Sequence, residues 1–226
     1  MHRTTGAALA AVGSLLLCAS CTTSAPAGAG RHVRPVPTAA VGAAAASTVT
    51  AELRAGLTYL LTEHVYATGR VAQAVVDKRG NLKDPLVVSS LATLQANSEG
   101  LAAALTAYTP AAREVFLQAW EQRATLFVGY AVGRGLRDDA QTVRLRAALD
   151  ASRTAVANAI HGFVPELSAT KVSEELSGYS ASVLNAIDDE LTKPTEVPRA
   201  LADAAAEMPS VAALLAAGIA ANKSLR

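Results

Sequence analysis

From Ser47 almost to the C-terminus the apolar residues recur at three- and four-residue spacing, and five breaks of helix-stop or helix-start residues cut this pattern. No stretch of similar length shows the two-residue alternation of a half-buried strand. A chain patterned in this way can bury its stripes only by packing helix on helix. The sequence therefore predicts an all-α fold, a single six-helix bundle over residues 47–226.

The breaks have identifiable chemistry. Helix one carries Leu53, Leu57, Leu60, His64, Val71 and Val75 on one stripe and ends before Gly80, a residue suited to a C-terminal cap. Asp84-Pro85 starts helix two as N-cap and first-turn proline, ahead of Val87, Leu91, Leu94, Asn97, Leu101, Leu105 and Tyr108. Thr109-Pro110 repeats that signal for helix three, with Phe116, Leu117, Trp120, Arg123, Phe127 and Tyr130; Gly133 and Gly135 are expected to loosen its end. Asp138 or Asp139 opens helix four and Ser168 helix five. Pro194 separates helix five from helix six, which Pro209 should kink, because an interior proline lacks its N–H and clashes with the preceding turn.

The first 46 residues have a different character. His2 and Arg3 precede an apolar run at residues 7–17, the length of an export-signal core and too short to span a bilayer as a helix. Leu17-Cys18-Ala19-Ser20-Cys21 follows. Small residues before a cysteine resemble the bacterial lipobox, which implies a signal peptide over residues 1–20, cleavage before Cys21, and diacylglycerol and palmitate on that residue. Two acyl chains hold a protein stably where one chain binds marginally. Residues 21–46 then read as lipidated Cys21 and a flexible Thr-, Ser-, Ala-, Pro- and Gly-rich tether. The expected place is the extracytoplasmic face of the cell membrane. Cys18 would leave with the signal, so neither cysteine staples the bundle.

Charge narrows the function. Lys plus Arg is 20 and Asp plus Glu is 19, a near-balance that argues against a nucleic-acid binder. No phosphate-binding loop, HExxH helix or Ser-His-acid pattern is present, so no catalytic residue is assigned. Within the bundle three residues break the inward pattern: His64, Asn97 and Arg123. A buried polar group left without a partner costs about 1–3 kcal/mol, so each should find one, with Trp120, Tyr130 and Tyr108 as the nearest candidates by stripe.

Four segments occur in order: Leu60-Leu61-Thr62-Glu63-His64-Val65, Leu94-Gln95-Ala96-Asn97-Ser98, Phe116-Leu117-Gln118-Ala119-Trp120 and Phe127-Val128-Gly129-Tyr130-Ala131-Val132-Gly133. Together they resemble a helical module of extracytoplasmic proteins of Gram-positive bacteria, some of which are labelled copper amine oxidase-like. The resemblance implies a six-helix unit with inward histidines able to hold a metal. Of that set this chain keeps His64. It has Arg123 three residues after Trp120, and Glu207 beside Met208, where similar proteins carry histidines. One imidazole, one carboxylate and an arginine make a poor copper or zinc site. The resemblance points instead to a buried Arg123–Glu207 ion pair with His64 and Asn97 alongside. The expected function is a non-enzymatic, lipid-anchored binding or interaction module of the envelope with an unidentified partner or ligand; the alternative is a copper- or zinc-binding bundle centred on His64.

Overall fold

The computed structural model of the chain describes residues 38–107 and 109–222, with side chains from Val49 onward. The expected signal, Cys21, the tether as far as Pro37, and Tyr108 lie outside these residues. The described chain forms α1 (Thr38–Asp77), α2 (Pro85–Leu105), a 3-10 turn (Pro110–Ala112), α3 (Arg113–Leu136), α4 (Asp139–Phe163), α5 (Ala169–Thr192), α6 (Val197–Ala206) and α7 (Met208–Ala221). No strand occurs among the described residues. The expected sixth helix is α6 plus α7, so the bundle has six helical rods, as the stripes required.

The central rod is α1, which packs against α2, α3, α5, α6 and α7, while α4 pairs with its neighbours α3 and α5. Leu57, Leu61, Val65, Thr68, Val71, Ala72 and Val75 form one buried stripe of α1, and the buried Ala67, Ala74 and Val76 widen it in the second half of the helix. Phe116, Trp120 and Phe127 of α3 and Leu176, Val183 and Ile187 of α5 close on it, and Leu149, Val156 and Ile160 of α4 extend the same core. Each such large side chain contributes about 1.5–3 kcal/mol when fully buried. The stretch Val197–Ala221 is long and apolar enough to cross a membrane by length and composition. In the bundle it packs against α1 and α5, with Ala204, Met208, Val211, Leu215 and Ile219 buried.

The start and stop signals act at most of the expected places, with four corrections. Asp84 accepts a hydrogen bond from the Leu86 N–H and Asp138 one from the Gln141 N–H, so both aspartates cap their helices. Gly80 adopts φ +78° after α1, the left-handed region that suits glycine. The first correction concerns the tether: α1 begins at Thr38, so residues 38–46 are helical, because no proline lies between Pro37 and Pro85 and alanine favours helix. The second concerns Thr109, whose side chain makes no cap bond; a 3-10 turn intervenes before α3. Ser168 also makes no side-chain cap bond. Third, Gly133 and Gly135 do not loosen α3, which runs to Leu136; they let neighbours approach. A Cβ on Gly133 would meet Thr142 at 3.0 Å, and one on Gly135 the Gly80 nitrogen at 3.4 Å. Fourth, the kink falls at Glu207, one residue before Met208 begins α7, since Pro209 belongs to the first turn of the new helix.

Candidate functional site

The three polar residues on the apolar stripes are all buried: His64 is 3%, Asn97 5% and Arg123 2% exposed. They form two adjoining groups rather than one. In the first, the Asn97 amide nitrogen of α2 donates to the Leu60 carbonyl at 3.0 Å and to Glu63 Oε2 at 2.9 Å, both on α1. This fixes the amide orientation and turns Asn97 Oδ1 toward His64 Nδ1, 3.0 Å away. An amide oxygen only accepts, so His64 Nδ1 carries the proton and donates. The Trp120 indole nitrogen approaches the same His64 nitrogen at a longer 3.4 Å, and its ring tilts over the imidazole with centroids 4.8 Å apart. Burial, the largest influence, holds the His64 pKa down at about 4; the Asn97 bond opposes this and the Arg123 charge adds to it. His64 is therefore neutral at pH 7.

The second group centres on Arg123 of α3. Its Nη1 donates to the Leu149 carbonyl at 2.9 Å and to Ser152 Oγ at 2.7 Å, both on α4, and its Nη2 donates to Ser180 Oγ on α5. The ring faces of Phe127 and Tyr179 lie 5.1 and 5.7 Å from the guanidinium carbon. Burial pulls this arginine down to about 10, which still leaves it charged at neutral pH. Burial likewise pushes Tyr179 up to about 12, against the Arg123 charge and the nearby Thr68 hydroxyl. Arg123 thus ties α3 to α4 and α5, as Asn97 ties α2 to α1.

Two expected members lie elsewhere. Glu207 is exposed, at the break between α6 and α7, and its carboxyl lies over Gly178 of α5. The Arg123–Glu207 ion pair is therefore not formed; serine hydroxyls and a main-chain carbonyl take the place of the carboxylate. Tyr130 shares the stripe of Trp120 but joins a separate, partly exposed cluster. Its hydroxyl donates to Asp188 Oδ1 at 2.9 Å and accepts from Arg146 Nη2 at 2.6 Å. Asp188 also pairs with Arg134 at 2.9 Å and with Arg146 at 3.1 Å. Arg134 of α3 and Arg146 of α4 thus converge on one carboxylate of α5. His161, near the end of α4, has Nδ1 2.7 Å from the Leu167 carbonyl and so binds within the α4–α5 turn.

Copper or zinc needs several imidazole, thiolate or carboxylate donors. Around His64 stand an amide, an indole, a phenol and a cation, a set that does not fit either metal. Among the described residues no group of three His, Cys, Asp or Glu could hold a metal ion. Nor do the open grooves described here reach this region. The 430 Å³ groove between α2 and α3 is lined by Leu91, Leu94, Gln95, Glu121 and Val128, and the 480 Å³ groove between α3 and α4 by Gln118, Gln122 and Asn158. No known protein family, curated protein or solved structure matches the chain. Sequence reasoning missed Ser152, Ser180, Tyr179 and Asp188 as polar partners. The available signal was position: Ser152 lies three residues after Leu149 and Ser180 four after Leu176, each one turn along from an inward residue.

Proposed function

We propose that the chain is a lipid-anchored extracytoplasmic protein whose helical bundle serves as a non-enzymatic binding or interaction module of the cell envelope. The observation that carries the anchor is the order of residues 3–21: a basic residue, an apolar run, small residues and Cys21. Diacylglycerol on Cys21 would attach the bundle to the membrane, with the lipobox family as the processing route. The near-balanced charge favours a protein or small-ligand partner over nucleic acid. What supports a non-enzymatic role is the use of the buried polar side chains. His64, Asn97 and Arg123 bond to groups of neighbouring helices, and none of them faces the grooves described above. Residues so occupied hold helices in register rather than meet a substrate.

The test is fractionation of bacteria expressing the full chain. The wild-type protein should sediment with membranes and be released by detergent, and Cys21→Ala should appear in the soluble fraction. Equal partitioning of the two would reject the anchor.

A further inference from the structure

We propose that the groove between α2 and α3 receives an amphipathic helix of a partner protein, one whose apolar stripe is followed by lysine or arginine. The proposal rests on the reading of the bundle as an interaction module and names the kind of partner. On α3, Glu121, Thr125, Val128, Val132 and Leu136 recur at three- and four-residue spacing and so form one ridge. Leu91, Leu94 and Gln95 of α2 form the opposite wall, and Leu82, in the turn before α2, lines the same groove. That turn lies against the end of the α3 ridge, since a Cβ on Gly80 would meet Leu136 at 3.3 Å and Val132 at 3.4 Å. The apolar surface continues past the groove: Leu82 is 44%, Val88 51% and Leu136 58% exposed. Contiguous apolar surface marks a contact site, where single exposed residues do not.

Charge selects the occupant. Ser98 Oγ donates to the Leu94 carbonyl at 3.0 Å and Thr125 Oγ1 to the Glu121 carbonyl at 2.9 Å, so both hydroxyls serve their own helices. Gln95 Nε2 donates to Glu99 Oε1 at 3.4 Å. Of the polar side chains lining the groove, Glu121 is left with no hydrogen bond or ion pair among the described residues. Glu99 is the one charged residue of α2. The half of the groove around Glu121 and Gln95 is therefore an apolar trough edged by two carboxylates, with Lys83 beside Leu82 at the other end. A third helix packs its ridge into the channel between two others, and an apolar stripe is what such a groove takes up. Lysine or arginine at one end of that helix meets Glu121 and Glu99, whereas an acidic segment meets like charge there. From Leu136 to Glu121 the ridge spans about 22 Å of helix axis, room for about four turns.

The experiment is fluorescence anisotropy of two labelled helical peptides of about 15 residues, titrated with the purified full chain. Both peptides carry leucine at i, i+4, i+7 and i+11; one has lysines in its last turn, the other glutamates. The wild type should bind the lysine peptide about tenfold more tightly than its glutamate twin. Glu121→Lys should reverse that preference, and Val128→Lys should weaken the lysine peptide by about tenfold or more. Should either variant fail to fold, methyl NMR of the wild type decides: the lysine peptide should shift Leu82, Leu91 and Val128 and spare Val211 and Leu215 of α7. Equal binding of the two peptides, no binding, or shifts confined to other faces overturns the proposal. So does a dimer of the chain that Val128→Lys abolishes, because a second copy then fills the groove. These outcomes are separate from the anchor: a chain released from membranes can still bind the lysine peptide, and an anchored one can fail to.

Discussion

Neutral, buried His64 makes the stability of the bundle depend on pH in a defined window. Its pKa falls from an ordinary 6.5 to about 4 on folding, chiefly through burial. At 1.36 kcal/mol for each pH unit, the gap is worth about 3 kcal/mol. The sign follows from proton counting. Between pH 6.5 and 4 the unfolded chain binds a proton on this residue that the folded chain does not. Stability from His64 is thus complete above pH 6.5, declines as pH falls, and is exhausted near pH 4. The cause is structural: Nδ1–H already serves Asn97, so a second proton must go to Nε2, among Trp120, Tyr179 and the positive Arg123. Urea unfolding at pH 7, 5.5 and 4 should show the wild type losing about 3 kcal/mol more than His64→Gln across this range. An NMR titration of the wild type should show the imidazole neutral down to about pH 4. Parallel pH curves for the two proteins, with an imidazole that titrates near 6.5, would refute the reasoning.

Two further perturbations probe the packing. Ser152 Oγ also donates to the Leu149 carbonyl and Ser180 Oγ to the Leu176 carbonyl, so removing Arg123 strands neither hydroxyl. Arg123→Met should therefore cost less than about 1.5 kcal/mol, whereas Arg123→Ala, which opens a cavity, should cost about 2–5 kcal/mol, both read from urea unfolding. On α7, a Cβ at Gly218 would come within 2.7 Å of three carbons of the buried Leu167, so Gly218→Ala should lower stability by about 1–3 kcal/mol. The same change at Gly69 meets the half-buried Leu201, whose side chain can swing aside, and should cost less. Equal losses at the two glycines would contradict the packing argument.

The fold was legible because a helical stripe reports directly which face is buried, and the stripes of α2 and α3 hold nearly residue for residue. A stripe does not report height along the bundle. Trp120 and Tyr130 lie on one face of α3, yet ten residues separate them by about 15 Å of helix axis, enough to place them in different clusters. Glu207 escaped prediction for a related reason. The helical phase resets between α6 and α7, turning Met208 inward and Glu207 outward. Ser152 and Ser180 were hidden because a mid-helix serine bonds its own helix readily, and its sequence does not say which cation shares the hydroxyl. The polar character of positions 64, 97 and 123 was visible; who bonds whom depended on the way α4 and α5 meet α3.

The proposed attachment through Cys21 is tested most directly by incorporation of labelled palmitate into the full chain. Label should enter the wild type and not Cys21→Ala, with the mass of the wild-type protein matching cleavage before residue 21 and addition of lipid. Equal labelling of both proteins, or an unmodified Cys21 in the mature wild-type chain, would contradict it.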